Sequence, residues 1–313
     1  LVVLFGCKAI GQVREPSNQK SKSDSLLLSA ADLFDDADSL SIFQLIDSLL
    51  QAPAITETGS SMAIRSGYNT NVVSSGRPFG FDQFGLTGGV SYYHKSGVYA
   101  DVTGYWSQQY DPYYYLTIAS VGYFNSIKKW TYNLEYSKYL YNTPSGSDIY
   151  NPYTNLVGFS NFLNVKPFIF RLDYSYYYGE KNAHRLMPAV MFNLTKKNWL
   201  GFSKVSFFPT FTVLAGSEDV ERTRIKLIRL IPLTYGVITT SKTEFGVMNY
   251  SVSFPLSLSM KNWSLLVNYT YNFPQALAGE QISLENSGYL TATLVKYINF
   301  KSAKPNELLN LPK

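Results

Sequence analysis

From about residue 84 to residue 300, apolar and polar side chains alternate in stretches of about ten residues, separated by very short turns and by longer polar links. Trp130-Thr131-Tyr132-Asn133-Leu134-Glu135-Tyr136-Ser137 shows the pattern, as does Trp263-Ser264-Leu265-Leu266-Val267-Asn268-Tyr269-Thr270-Tyr271. A period of two places one set of side chains on each face of a strand. An aromatic and aliphatic face backed by a Ser/Thr/Asn/Tyr face suits a transmembrane β-barrel, apolar toward lipid and polar toward the lumen. The pattern therefore predicts an all-β chain, a closed antiparallel barrel of about twelve strands, with a short helical segment ahead of it.

The predicted strands are 62–72, 84–94, 98–107, 114–125, 130–141, 154–164, 168–178, 184–195, 203–215, 243–260, 263–273 and 288–300. Tight turns at His94-Lys95-Ser96-Gly97, Asn164-Val165-Lys166-Pro167 and Lys261-Asn262 alternate with long links near 73–83, 142–153, 216–242 and 274–287. Outer-membrane barrels place short turns in the periplasm and long loops outside, with both termini periplasmic. The alternation is weakest at 179–183 against 196–202, where the supposed external link is the shorter.

The pleat assigns faces. On 98–107, Val98, Ala100, Val102, Gly104 and Trp106 face lipid, and Tyr99, Asp101, Thr103 and Tyr105 face inward. On 168–178, Phe168, Phe170, Leu172, Tyr174 and Tyr176 face out, and Arg171, Asp173, Ser175 and Tyr177 face in. On 243–260, Met248, Tyr250, Val252, Phe254, Leu256 and Leu258 are expected outside, with Asn249, Ser251, Ser253, Ser257 and Ser259 inside. The charges Asp101, Glu135, Arg171 and Asp173 are expected to face the lumen, because Arg or Lys on the lipid face near the midplane costs about 2–4 kcal/mol. Strands 154–164 and 288–300 do not sort cleanly, and Lys296 sits among apolar neighbours.

Composition sharpens this picture. The 313 residues include 26 Tyr and 20 Phe, and aromatics at strand ends form headgroup-level girdles. The net charge of +5 is too mild for a nucleic-acid binder. The single cysteine, Cys7, excludes an internal disulfide framework. No apolar run reaches the roughly 18 residues of a spanning helix, so membrane crossing has to use strands.

The first residues, 1–11, read as the remnant of a secretory signal peptide, with Ala9-Ile10-Gly11 a small-x-small cleavage site before Gln12. Leu4-Phe5-Gly6-Cys7 reads alternatively as a lipobox, although Phe5 is bulky for one. Residues 12–59 form a periplasmic linker in which Ile42, Leu45, Ile46 and Leu49 share one helix face, a periplasmic docking element. Asp32, Asp35, Asp36 and Asp38 lack the glycine and closing glutamate of a calcium loop and read as helix-start carboxylates. The barrel occupies 60–300, and 301–313 is a periplasmic tail.

Segments such as Gly89-Val90-Ser91-Tyr92-Tyr93-His94-Lys95-Ser96-Gly97 and Tyr110-Asp111-Pro112-Tyr113-Tyr114-Tyr115, with the Ala9-Ile10-Gly11/Gln12 junction, resemble the Tyr-rich outer-membrane β-barrels of Bacteroidota-type bacteria. The resemblance covers about residues 60–300 and implies an outer-membrane location. The chain departs from many such barrels in continuing past Phe300 to Lys313, so an assembly signal would lie internally, around 297–300.

Candidate chemistry is sparse. A lipid hydrolase on such a barrel needs a serine beside a histidine oriented by a third residue. His94 falls in a predicted periplasmic turn and His184 at an external strand start, so no enzyme activity is expected. No cofactor or resident metal is called for, and the interior carboxylates are expected to pair with Arg171 or tyrosine hydroxyls. Arg222, Arg224, Lys226 and Arg229, in the link 216–242, form the most basic short run, suited to lipopolysaccharide phosphates or an acidic partner, or simply a solvated hairpin. Two functions follow: an accessory or structural subunit that meets a protein partner at the outer membrane, or a narrow channel for small solutes.

Overall fold

The computed structural model describes residues 59–70, 73–74, 77–78, 85–108, 112–142, 153–229, 234–280 and 284–300; for 73–74, 77–78, 221–229 and 234–240 it describes the backbone alone. The chain forms β1 (Ser61–Asn69), the small pair β2 (Val73–Ser74) and β3 (Arg77–Pro78), β4 (Gly85–Tyr93), β5 (Val98–Ser107), β6 (Tyr114–Ile127), β7 (Trp130–Tyr141), β8 (Tyr153–Val165) and β9 (Phe168–Gly179). It continues with β10 (Asn182–Phe192), β11 (Leu194–Trp199), β12 (Phe202–Phe207), β13 (Thr210–Arg229), β14 (Thr234–Ser253), β15 (Leu256–Met260), β16 (Trp263–Pro274) and β17 (Ser287–Asn299). The signal remnant, the helix carrying Ile42, Leu45, Ile46 and Leu49, and the tail 301–313 lie outside the described residues.

These strands make a closed ring of 12 antiparallel staves, β1-β4-β5-β6-β7-β8-β9-β10-β13-β14-β16-β17 and back to β1. Closure leaves no strand edge facing lipid, the condition for crossing a bilayer as sheet. The ring is completed where Ser61 pairs with Asn299 and where the Phe300 N–H donates to the Ser60 carbonyl at 2.9 Å. Both ends of the barrel chain therefore lie at the rim that carries the tight turns.

Three staves bend near that rim. Asn193 separates β10 from β11, Phe208-Pro209 separates β12 from β13, and Phe254-Pro255 separates β14 from β15. Proline has no N–H to give the ladder, so it sits where a strand breaks. The wall is carried across the bends by single bonds, Phe208 N–H to the Pro255 carbonyl at 3.1 Å and Phe254 N–H to the Tyr269 carbonyl at 2.9 Å. Below the bends the wall continues as β11-β12-β15-β16.

Three expectations are corrected here. The link 216–242 is continuous antiparallel ladder from Thr210↔Ser253 to Arg229↔Thr234, so only 230–233 connect β13 to β14. Its β-branched residues propagate the strands upward, where length alone had suggested a loop. The segment 196–202, expected as a connection, is the tip of the β11–β12 hairpin, with only Leu200-Gly201 between the strands, while 179–183 is the short external link expected, a tight turn at Glu180-Lys181. Met248 is wholly buried. A β-bulge lies beside it, Leu214 pairing with Asn249 and Ala215 with Val247, so the extra residue rotates Met248 into the interior.

Elsewhere the alternation sets the faces. Val102, Val121, Leu134, Leu140, Phe170 and Leu294 are among the outward, exposed side chains, and inward neighbours such as Thr103, Ser120, Asn133 and Thr293 are buried. On β8, Leu156 and Phe162 turn inward and Val157, Phe159 and Leu163 outward. Lys296 lies on the outward parity of β17 with its ammonium 4.3 Å from the Trp263 ring centre, a cation–π contact beside the periplasmic rim.

Candidate functional site

Among the described residues the lumen wall holds three buried arginines, each beside a carboxylate. Arg65 on β1 pairs with Asp101 on β5 and reaches Ser91 and Thr103, the last at 2.9 Å. Ser91 Oγ donates to Asp101 at 2.6 Å, and Thr103 Oγ1 donates to its second oxygen at 2.9 Å. This reach skips over β4, and Gly89 on β4 makes it sterically feasible. A Cβ at Gly89 would stand 2.5 Å from Thr103 Oγ1 and 2.9 Å from the Arg65 guanidinium. The same device recurs two staves on: the Tyr99 hydroxyl crosses Gly122 on β6 to donate to Glu135 on β7, which also accepts from Ser137 at 2.8 Å.

On β9, Arg171 Nε lies 2.7 Å from Asp173 Oδ2, both side chains nearly fully buried. β9 is the sixth stave from β1 in either direction round the ring. Arg65 is the fifth residue of β1 and Arg171 the fourth of β9. Two Arg–carboxylate pairs thus oppose one another across the lumen at similar height. Arginine suits such sites because its planar fork satisfies several acceptors at once.

Nearer the outer end, Arg185 on β10 bonds Glu218 at 2.8 Å and the Ser217 carbonyl, with its stem lying where a Gly216 side chain would be. At the outer turn Lys181 bonds Asp219 at 2.8 Å, and Thr243 donates to it at 2.6 Å. These hydrogen bonds hold the Asp219 carboxyl below its ordinary range. Where β14 pairs with β16 the inward face is neutral and polar, with Asn249 bonding Asn272 at 3.0 Å and Asn268 bonding Thr270 at 2.9 Å. Apolar clusters flank the polar belt. Tyr93, Tyr99, Phe124 and Tyr297 pack near the periplasmic rim, and Leu116, Tyr139, Leu156 and Tyr177 pack in the outer half.

Of the residues singled out in the sequence, Arg171 and Asp173 are brought together, and Glu135 meets a tyrosine hydroxyl. Asp101 meets Arg65, which strand-by-strand reading does not reveal because the partners lie two staves apart. An inward glycine between them is the available signal, at Gly89 and again at Gly216 beside Arg185. Arg222, Arg224, Lys226 and Arg229 pair through their backbones with Thr240, Ile238, Gly236 and Thr234. His184 packs at a tilt against the Tyr176 ring, 4.9 Å between centres, and meets the Tyr174 hydroxyl at 2.8 Å, while His94 meets Ser96 at 2.8 Å within its own exposed turn. Among the described residues no group of three or more His, Cys, Asp or Glu is placed to hold a metal.

A closed ring with an apolar outward belt, a polar inward face and both ends of the barrel at the short-turn rim defines a transmembrane β-barrel of the bacterial outer membrane, its termini facing the periplasm. No protein-family model and no curated protein matches the chain. Among solved structures it is similar to the KdgM porin (9% identity, TM-score 0.42, 75% of this chain and 98% of that one). It is also similar to the NanC porin (12%, 0.40, 75% and 98%) and to the translocator domain of the autotransporter NalP from Neisseria meningitidis (11%, 0.36, 87% and 100%).

Proposed function

We propose that the barrel is a narrow channel for small polar solutes. The observation that carries this reading is the pair of Arg–carboxylate sites opposed across a lumen whose polar belt is rich in hydroxyls and amides. Twelve staves spaced about 4.8 Å apart and tilted about 40° give a backbone diameter of roughly 24 Å. The buried tyrosines inside reduce the free width well below that. In planar bilayers the purified protein is expected to give small conductance steps with weak ion selectivity, because each buried arginine is neutralised. The double variant Asp101→Asn/Asp173→Asn leaves Arg65 and Arg171 uncompensated and should shift the reversal potential in a KCl gradient toward anion preference. Silence of the wild-type protein in the bilayer would sink the proposal.

A second reading, an accessory subunit of an outer-membrane complex, is favoured by one feature. Above Asp219 and Thr243 the β13–β14 hairpin continues from Val220 to Arg229, about 30 Å at the usual rise of about 3.3 Å per residue. Among the described residues no other strand pairs with that extension, so both its edges offer N–H and C=O groups to a partner strand. Its cations give it a second use, at lipopolysaccharide phosphates. Replacing Arg222, Arg224, Lys226 and Arg229 together with Gln should lower lipopolysaccharide co-purification while the barrel stays heat-modifiable on gels; unchanged co-purification would remove that use.

A further inference from the structure

The periplasmic rim is a ring of lysines. Five hairpin turns lie at this end among the described residues, and every hairpin contributes one or more: Lys95, Lys128 and Lys129, Lys166, Lys196 and Lys197, and Lys261. All of these are exposed. Among the described residues no carboxylate lies in these hairpins. Asp101, Glu135 and Asp173 belong to the lumen, and Glu180, Glu218, Asp219, Glu221, Glu244, Glu280 and Glu285 lie toward the outer end. The segregation is one-sided, because outer-end lysines such as Lys181 and Lys242 have acidic partners.

The turns also share a short motif. A lysine precedes an aromatic by two residues in Lys128-Lys129-Trp130, Lys166-Pro167-Phe168, Lys197-Asn198-Trp199 and Lys261-Asn262-Trp263. The aromatic opens or closes the strand and is exposed. Rings at such positions sit at the lipid headgroup level. The motif therefore places its lysines close to the headgroup plane, and two neighbouring lysines, Lys196 and Lys296, lie 5.1 Å and 4.3 Å from the Trp199 and Trp263 ring centres. Adjacent turns are separated by two staves, about 10 Å at the usual strand spacing, close to the footprint of a phospholipid.

We propose that this ring binds the phosphates of anionic phospholipids, of the phosphatidylglycerol kind, in the periplasmic leaflet around the barrel. The ligand follows from charge and position: several cations, with no carboxylate in their hairpins among the described residues, are held at the headgroup plane beside apolar rings that enter the acyl region. An acidic periplasmic protein would need the cations to face away from the lipid, and the paired tryptophans set them at its edge. The partner differs from the outer-leaflet phosphates considered for the β13–β14 hairpin, and it does not depend on whether the lumen conducts.

The test uses the full chain carrying Trp106→Phe, which removes the tryptophan at the outer end. The protein is reconstituted in vesicles of phosphatidylethanolamine and phosphatidylglycerol, with bromine on the acyl chains of one lipid or the other. Fluorescence of Trp130, Trp199 and Trp263 should be quenched more strongly by brominated phosphatidylglycerol. The expected preference at low salt is on the order of fivefold, what one cation–headgroup contact supplies. It should shrink as salt is raised and disappear when Lys95, Lys128, Lys129, Lys166, Lys196, Lys197, Lys261 and Lys296 are all replaced by Gln. The milder Lys129→Gln/Lys261→Gln variant, altering only exposed side chains, should show an intermediate value. Equal quenching by the two lipids, or a preference that survives the substitutions and salt, overturns the proposal.

Discussion

Arg65→Ala is expected to destabilise the barrel by about 3–5 kcal/mol, the usual cost of leaving one member of a buried ion pair without its partner. Asp101 would keep its bonds from Ser91 and Thr103 but lose the guanidinium beside it. The double variant Arg65→Met/Asp101→Leu should recover most of the loss, since replacing a buried pair with apolar groups of similar volume is often neutral. Urea unfolding in vesicles, followed by tryptophan fluorescence, measures both. A single variant within about 1 kcal/mol of wild type would show that the pair is hydrated and worth little.

Gly122→Val is the second large effect. A Cβ there would stand 2.5 Å from the Tyr99 ring, so the ring must leave its place across β6 and release Glu135. Glu135 would keep its bond from Ser137 at 2.8 Å but lose the one from Tyr99, and overpacking and a lost hydrogen bond to a partly buried acid each cost about 1–3 kcal/mol. Tyr99→Phe loses the hydroxyl alone and should cost less. Tyr99→Ala in the Gly122→Val background should cost less than the two changes summed, because removing the ring removes the clash. Strict additivity would place Tyr99 elsewhere than over Gly122.

The barrel is legible in the sequence where alternation is strict and charges mark one face, as on β5 with Asp101 and β9 with Arg171 and Asp173. β8 is not legible, because Leu156 and Phe162 serve interior clusters and make both faces apolar. The β11–β12 hairpin is too short and too exposed to leave a two-sided pattern. The β13–β14 ladder was obscured by its length, since a polar stretch between membrane strands reads as loop even when Thr, Val and Ile continue through it. The lumen chemistry is legible in part. Arg171–Asp173 shares one strand two residues apart, a spacing that alternation displays, whereas Arg65–Asp101 and Arg185–Glu218 join distant segments and become visible only when registers are known. The basic residues of the lysine ring stand in plain sight, but their arrangement as a circle follows from closure.

The bulge at Met248 has a consequence for reading mutational data on this chain. Below it the odd-numbered positions Asn249, Ser251 and Ser253 face the lumen, and above it the even-numbered Gly246 and Glu244 pair with inward Gly216 and Glu218. A saturation scan along β14 should therefore show a phase slip: the stripe that rejects arginine occupies even positions up to Phe254 on one side of Met248 and odd positions such as Val247 and Phe245 on the other. A pattern averaged over the whole strand would cancel to apparent indifference, although every position in it carries a strong preference.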